Sequence, residues 1–276
     1  MVYNISGVFA HSHTCYMKER MTLLICDLQK ASMWKRISAA LFDGILLSIA
    51  AVLFAWLLSV IVQYDTPAAV LNESYAKYEE AFGVDFDITA TAYEAMSPEE
   101  KANLDAAYDA LASDDDAVYA YNMMMQLTLL ITTFGILLGY LLLEFVVPLL
   151  LKNGQTLGKK IFGIAVMRQE GVKVNGVVMF IRTILGKYAI ETMIPVYIVI
   201  MIYFNSIGIV GAAVLLLILI LQIVLIAATK TNSAIHDCLA STVTVDLASQ
   251  MIFNTREEMI AYKEKLHAEK VANTPY

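Results

Sequence analysis

The sequence predicts an all-α membrane protein: a four-helix transmembrane bundle with a small helical extracytoplasmic insertion and a short cytoplasmic β-sheet. Three observations support this fold class. Hydrophobic residues make up 59% of the 276 residues, charged residues only 16%, and the mean hydropathy is +0.63, which is outside the usual composition of soluble domains. Long apolar stretches follow one another along the chain. Lys and Arg residues cluster between some of these stretches and not between others.

Four apolar stretches are long enough to cross a membrane as helices, since a hydrocarbon core of about 30 Å requires about 20 helical residues. The third stretch contains Glu191 and Pro195, but proline is tolerated in a transmembrane helix where neighbouring groups satisfy the freed backbone. We therefore predict a transmembrane domain over residues 34–246. Its four spans cover residues 37–62, 121–151, 188–206 and 207–229.

The distribution of Lys and Arg predicts the orientation, because short cytoplasmic loops retain positive charge. Basic residues precede the first span, lie between the second and third, and follow the fourth, whereas the link between the third and fourth has no charge. This places both termini in the cytoplasm, with residues 247–276 as a C-terminal tail. Residues 1–33 show no capped helix, which indicates either disorder or a true translation start at Met21 or Met33.

Residues 63–120 are then an extracytoplasmic insertion, and they are strongly acidic. They contain fourteen Asp or Glu and only two Lys, a net charge of −12 against −7 for the whole chain. Helix starts at Pro67 and at Ser97, the latter with a capping-box Glu100, and a stop at Gly83 predict two amphipathic helices that pack on each other. The acidity is explained either by a cation-attracting vestibule or by a solvated surface. The apolar faces are formed by Leu71, Tyr75, Tyr78 and Phe82, and by Leu104, Tyr108 and Leu111.

Two segments on the predicted cytoplasmic side have the alternation of β-strands. One surrounds the turn residues Gln169, Glu170 and Gly171 and predicts a hairpin, and the other is 241–246. We predict a small sheet that joins them. This sheet would bring Asp237 close to Arg36 or to the basic turn described next.

The stretch "GQTLGKKIFG" predicts a basic turn at the cytoplasmic membrane surface, with its lysines near anionic headgroups. The turn comprises Gly154, Gln155, Thr156, Gly158, Lys159 and Lys160. It lacks the spacing of a phosphate-binding loop, and neither a nucleophile elbow nor a zinc helix motif occurs in the sequence. His11 and His13 have no further ligands close by, and Cys15, Cys26 and Cys238 are odd in number and predicted to be cytoplasmic. We therefore expect no enzymatic activity, metal, cofactor, disulfide or nucleic-acid partner.

Three sequence motifs follow one another in a particular order. Arg36 and Asp43 lie in the first span, "GQTLGKKIFGIAVMRQEG" follows a span, and "IHDCLASTVTV" follows the last one. Together they resemble the RDD family of bacterial membrane proteins, over about residues 35–246. The resemblance assigns the family's name-giving arginine and aspartates to Arg36, Asp43 and Asp237, and Ser241 departs from it where glycine is usual. It implies a multi-pass protein of the bacterial cell membrane, with cation/proton exchange suggested for some members.

Charged residues inside the predicted spans require partners, because a charge in hydrocarbon is costly. Arg36 and Asp43 are seven residues apart, so they share a helix face but lie about 10 Å apart along the axis. We therefore expect Asp43 to contact another span. Counting about seven residues inward from each cytoplasmic end predicts a buried polar layer of Asp43, Glu144, Glu191 and Gln222, with Arg36, Arg182 and Lys187 as countercharges.

Two functions explain such a layer. In a proton-coupled carrier of monovalent cations, buried carboxylates alternate between binding a proton and binding a cation. In a membrane scaffold or assembly protein, the same groups hold helices together, and the acidic insertion binds another protein. Four spans are few for a complete carrier, so transport would require a homo-oligomer or a membrane partner within the lipid bilayer.

Overall fold

The computed structural model describes residues 28–151, 153–203 and 207–272. The predictions for His11, His13, Cys15 and Cys26 lie outside the described residues. The helices are α1 (Met33–Ile61), α2 (Asp65–Phe82), α3 (Ala90–Ala95), α4 (Pro98–Ala112), α5 (Asp115–Leu150), α6 (Leu157–Ile161), α7 (Gly176–Ile202), α8 (Gly208–Ala228), α9 (Ile235–Leu239) and α10 (Arg256–Ala272). The strands are β1 (Ile164–Arg168) and β2 (Thr242–Asp246).

Four of these helices, α1, α5, α7 and α8, are long and apolar enough to cross a membrane. Large apolar side chains along them are exposed, among them Leu53 and Trp56 of α1 and Ile223 of α8. Such a surface is stable only in an apolar solvent such as lipid. The predicted all-α membrane fold is confirmed.

The third span begins twelve residues before its predicted start. Helix α7 begins at Gly176, after Asn175, whose side chain accepts a hydrogen bond from the Val178 amide. Its residues Ile181–Met193 are π-helical, with i→i+5 backbone bonds. Arg182 and Lys187 made this stretch too polar for the hydropathy pattern, but both side chains are buried against opposite charges. The second span also begins earlier than predicted, at Asp115 rather than at residue 121.

The chain divides into two compact units, and residues 50–138 form one of them. Within it, α2 and α4 pack on each other through Leu71, Leu104 and Leu111, as predicted. Gly83 ends α2 in a left-handed conformation, with φ of 61°. The capping box of Ser97 and Glu100 starts α4. The short helix α3 was not predicted.

The described remainder, residues 28–49 and 139–272, forms the second unit. Its strands β1 and β2 pair antiparallel, with Ile164 opposite Asp246 and Arg168 opposite Thr242. The predicted sheet is thus confirmed, and its core is Ala165, Met167, Val243 and Val245. The predicted hairpin after β1 is limited to one bridge, between Met167 and Lys173. β2 begins directly after Ser241, whose φ is 51°.

Candidate functional site

Ionisable side chains from the spans and from the segments that follow them form a buried group, which we call the polar cluster. Each of its side chains is at most 19% exposed. Burial of so many charges is costly unless opposite charges meet with good geometry. The members are Asp43, Glu144, Glu191 and Asp237 with Arg36, Lys159, Arg182, Lys187 and His236.

Asp237 on α9 is the most connected member of the polar cluster. Its Oδ1 accepts hydrogen bonds from Arg182 Nε at 3.0 Å and from the Thr242 hydroxyl at 2.8 Å. Its Oδ2 accepts one from Arg36 at 3.4 Å. Arg36 also donates to the Asn232 carbonyl at 2.7 Å. Asp237 thereby joins α1, α7 and β2, and its predicted proximity to Arg36 is confirmed.

The groups around Asp237 keep its carboxylate ionised. Burial by itself raises the pKa of this carboxyl group. The charges of Arg182 and His236, the Thr242 hydroxyl and the charge of Arg36 together lower the pKa more, so it lies below its usual range. Asp237 is therefore a permanent negative charge at neutral pH.

Helix α9 approaches the π-helical part of α7 closely because residue 186 is glycine. A Cβ atom at Gly186 would lie 2.6 Å from the Cβ of His236, which is too close for any other residue without a shift. Arg182 and Glu191 lie in the same π-helical stretch. The close approach places both of them against α9, where they meet Asp237 and His236.

The polar partners that the described residues give Asp43 lie in the turn after the second span, so the prediction that it pairs with another span is wrong. Its carboxylate accepts hydrogen bonds from the Thr156 hydroxyl and from the Gly158 amide, the latter at 2.7 Å. Lys159 Nζ lies 3.8 Å away. Because α6 begins after Thr156, the Gly158 amide has no partner inside the helix and donates to the carboxylate. Helix periodicity predicts which face Asp43 occupies, but not that a turn 115 residues later folds against it.

Lys159 of the basic turn is directed into the polar cluster, and the prediction that it meets headgroups is wrong. Its Nζ donates to Thr156 Oγ1 at 3.1 Å. Burial, and next the charge of Lys187, lower the pKa of the Lys159 ammonium to about 8. Lys160 is exposed, as predicted. The other members of the turn are buried: Gly154, Gln155, Thr156 and Gly158.

Glu144 lies where α5 becomes π-helical and pairs with a lysine of α7. The Glu144 Oε2 and Lys187 Nζ atoms are 2.7 Å apart. The Thr183 hydroxyl donates to the backbone carbonyl of Glu144 at 2.9 Å, which reinforces the same contact between the two helices. Lys187 is therefore the countercharge of Glu144.

Glu191 on α7 has histidine as its ionisable partner. His236 Nδ1 lies 2.9 Å and 2.8 Å from the two Glu191 carboxylate oxygens, and the His236 backbone amide donates to Oε1 at 3.0 Å. The Gln222 amide on α8 donates to the same oxygen at 3.4 Å. On the other side, His236 Nε2 is 3.6 Å from Asp237 Oδ2. The imidazole thus lies between two carboxylates.

The pKa of His236 results from opposing effects. Burial lowers it, the charge of Asp237 raises it, Arg182 lowers it and the contacts with Glu191 raise it. The net pKa lies below the ordinary value of histidine. A neutral ring is therefore favoured at neutral pH, and protonation follows on acidification.

The structure brings only some members of the predicted layer together. Glu191 and Gln222 are in contact, and Glu144 pairs with Lys187, one of the predicted countercharges. Asp43 and Arg182 instead bind partners outside the predicted layer. His236 and Thr242 were not predicted as site residues, and Thr156 was predicted in the basic turn but not as a partner of the layer. For His236 the sequence did contain a signal, because this histidine directly precedes the motif residue Asp237 in "IHDC".

Within the described part of the chain, the hydrogen-bonding groups of the polar cluster are satisfied. No buried side-chain nitrogen or oxygen there lacks a hydrogen-bond partner. Asp43 and Glu144 border a crevice that has no room for a water molecule; its other lining residues are Leu46, Leu143 and Leu157. No group of three or more His, Cys, Asp or Glu among the described residues is placed to hold a metal ion.

Comparisons with known proteins identify the family to which this chain belongs. The model of the RDD family matches residues 30–241, which include Arg36, Asp43 and Asp237 and most of the chain. Neither a comparison with curated proteins nor one with solved structures finds a match. The family match and the four apolar helices together identify the chain as a multi-pass membrane protein that belongs to the RDD family.

Proposed function

We propose that this protein exchanges a monovalent cation for a proton across the bacterial cell membrane, with Glu191 and His236 as the exchange site. One observation carries the proposal. Asp43, Glu144 and Asp237 each lie within 4.0 Å of a Lys or Arg nitrogen. Among the described residues, the only ion-pair partner of Glu191 at that distance is His236.

The exchange follows from charge balance at Glu191. With His236 neutral, the Glu191 carboxylate has no close countercharge, and a monovalent cation from solution supplies one. When His236 binds a proton, the imidazolium becomes the countercharge and the cation is released. Protonation of His236 and binding of a cation at Glu191 therefore exclude each other, which is the condition for coupled exchange.

The location of Glu191 and His236, and the free energy that is needed to bury their charges, support a functional role. Glu191 lies in a spanning helix, and the protein leaves 19% of its side chain uncovered. Buried ion pairs contribute little to stability compared with well-packed apolar residues. Ionisable groups in spanning helices commonly mark ion pathways and proton relays. With four spans per chain, we propose that the carrier works as a homo-oligomer or with a membrane partner.

Flux through proteoliposomes tests this function. Full-length protein is reconstituted in vesicles with an acidic interior, and Na⁺ or K⁺ is added outside while an internal dye reports pH. We expect cation-driven alkalinisation with the unmodified protein and none with Glu191→Gln or His236→Gln. Glu170→Gln removes an exposed carboxylate outside the polar cluster and serves as the matched control with normal flux. Equal flux from protein-free vesicles, or full flux from Glu191→Gln, would refute the proposal.

A membrane scaffold is the second candidate, and it is favoured because every buried polar side-chain atom among the described residues has a hydrogen-bond partner. In a scaffold the ion pairs hold α1, α7 and α9 together and move no ions. Glu191→Gln would then lower the melting temperature and the amount of protein in the membrane, while the unmodified protein shows no flux. Size-exclusion profiles and melting curves recorded with the flux assay separate the two functions.

A further inference from the structure

Gln222 is the only polar side chain of α8, and it contacts the exchange site proposed above. All other residues of this spanning helix are Gly, Ala, Val, Leu or Ile. An amide group in an apolar helix is costly unless its donor and its acceptor are both bonded. The Gln222 side chain is half-buried, and both ends of its amide have partners.

The Gln222 amide links α8 to two other elements. Its Nε2 donates to Glu191 Oε1 on α7 at 3.4 Å, and its Oε1 accepts a hydrogen bond from the backbone amide of Ile235 at 3.2 Å. The carboxylate accepts and the backbone amide donates, so these two partners determine which way the Gln222 amide points. Ile235 is the first residue of α9. Gln222 therefore holds the beginning of α9 beside Glu191.

Helix α9 has no capping side chain of its own, because the residue before it is Ala234. The amides of the first helical turn have no partner inside a helix. In α9 two of them bind side chains of spanning helices instead. The Ile235 amide binds Gln222 of α8, and the His236 amide binds Glu191 of α7 at 3.0 Å. The position of α9, and with it that of the His236 ring, thus depends on Gln222 as well as on Glu191.

Gln222 acts on His236 without contributing a charge. The charged groups that face the imidazole are Glu191 and Arg182 of α7 and Asp237 of α9. Helix α8 contributes none. Replacement of Gln222 by an apolar residue therefore leaves the charges around His236 unchanged. It removes only the bonds that hold α9 in place.

We propose that Gln222 is a positioning residue of the exchange: it holds α9 so that protonation of His236 excludes a cation from Glu191. This inference rests on the function proposed above. Without the Gln222 amide, the beginning of α9 is released from α8, and the His236 ring binds Glu191 less closely. Protonated His236 then displaces the cation less effectively, and the cation stays at Glu191 at acidic pH.

Uptake of radiolabelled Na⁺ or Rb⁺ into proteoliposomes, at equal pH on both sides, tests this role with Gln222→Met. In the unmodified protein the half-saturating cation concentration should rise as the pH falls, by up to about tenfold per pH unit for one competing proton. In Gln222→Met we expect a rise of less than about threefold, because the competition is weakened. Gln250→Met is the matched control and should behave like the unmodified protein. Gln250 is also half-buried and bonded at both ends of its amide, to the Gln29 amide and the Met251 carbonyl, but it lies outside the polar cluster.

Amide hydrogen exchange of the full-length protein in detergent tests the position of α9 without measuring flux. First-turn amides of a short helix exchange rapidly unless they are bonded to other groups. We expect the Ile235 amide to be protected in the unmodified protein and in Gln250→Met. In Gln222→Met it should exchange at least about tenfold faster.

The two measurements separate this inference from the exchange function. Absence of flux from the unmodified protein overturns both. Normal flux with an unchanged pH dependence in Gln222→Met, or with unchanged protection of Ile235, overturns the role of Gln222 alone. If Gln222→Met does not fold, rapid exchange of the Ile235 amide in the unmodified protein overturns that role, and protection supports it.

Discussion

Asp43 and Asp237 are held in the same manner although they belong to different segments. Each accepts a hydrogen bond from a threonine hydroxyl, that of Thr156 or Thr242, and each lies near a basic side chain. A buried carboxylate loses hydration at both oxygens, so one countercharge alone does not compensate for burial. The threonines are therefore as much a part of the site as the charges.

At the scale of single residues, the sequence indicates which charges matter and only in part what they bind. The family motifs point to Arg36, Asp43 and Asp237, and the predicted sheet brings Asp237 close to Arg36 although the two are 201 positions apart. The partner of Asp43 could not be predicted, because Thr156 is 113 positions away and no predicted element joins the two. Helix periodicity tells which residues share a face, whereas the partner depends on which distant segment packs there.

Ser241 is the residue at which a stabilising substitution is expected. It adopts φ of 51°, a left-handed conformation that is unfavourable for residues with a Cβ, and its side chain is exposed. Ser241→Gly should raise the free energy of unfolding by about 0.5–1 kcal/mol, since relief of strain exceeds the added flexibility of the unfolded chain. The measurement is thermal unfolding in detergent.

Ser249→Gly is the control for this prediction. Ser249 is also exposed and does not have a positive φ, so glycine there only adds flexibility to the unfolded chain. We expect a small decrease in stability. A decrease for Ser241→Gly as well would mean that its backbone conformation is not strained.

At the scale of elements, the π-helical stretch of α7 explains much of what was not predicted. The predicted depth of Glu191 is counted in residues from the cytoplasmic end of the third span, but α7 begins twelve residues earlier and residues 181–193 have i→i+5 bonds. The apolar spans were predictable because the thickness and apolar nature of the hydrocarbon core determine the length and composition of a spanning helix. The start of α7 was not predictable, because Arg182 and Lys187 can lie in a spanning helix only when opposite charges neutralise them.

The contact between α1 and α6 depends on Gly158. A Cβ atom there would lie 2.5 Å from the Ala39 carbonyl oxygen and 2.9 Å from Asp43 Cγ. Gly158→Ala should therefore push α6 away from α1 and weaken the hydrogen bond from the residue 158 amide to Asp43. We expect a loss of about 2–4 kcal/mol in the free energy of unfolding, from overpacking and from the weakened buried bond.

Gly44→Ala provides the comparison for Gly158→Ala. A Cβ atom at Gly44 meets nothing within 4 Å, and the residue lies inside α1. Alanine favours helix there, so stability should stay constant or rise by up to about 1 kcal/mol. Both melting temperatures are measured in the same detergent, and similar changes for the two variants would contradict the proposed close contact.

At the scale of the whole molecule, charge is distributed unequally along the chain. Residues 63–120 carry −12 while the whole chain carries −7, so the remaining residues carry +5. Translocation across a membrane discriminates against Lys and Arg in short loops far more than against Asp and Glu. The same distribution that attracts cations to the acidic insertion therefore also predicts on which side of the membrane it lies.

We predict that residues 63–120 lie outside the cell and that both termini lie in the cytoplasm. Single cysteines replace the exposed Ser113 at the end of α4 and Glu170 in the turn after β1, whose side chain is 43% exposed. The background has Cys15, Cys26 and Cys238 changed to serine. A membrane-impermeant maleimide should label residue 113 in intact cells and residue 170 only after permeabilisation. Labelling of residue 170 after permeabilisation shows that the site is reactive, so its protection in intact cells reports sidedness. The reverse pattern would place the acidic insertion in the cytoplasm and invert the direction in which Glu191 and His236 would exchange ions.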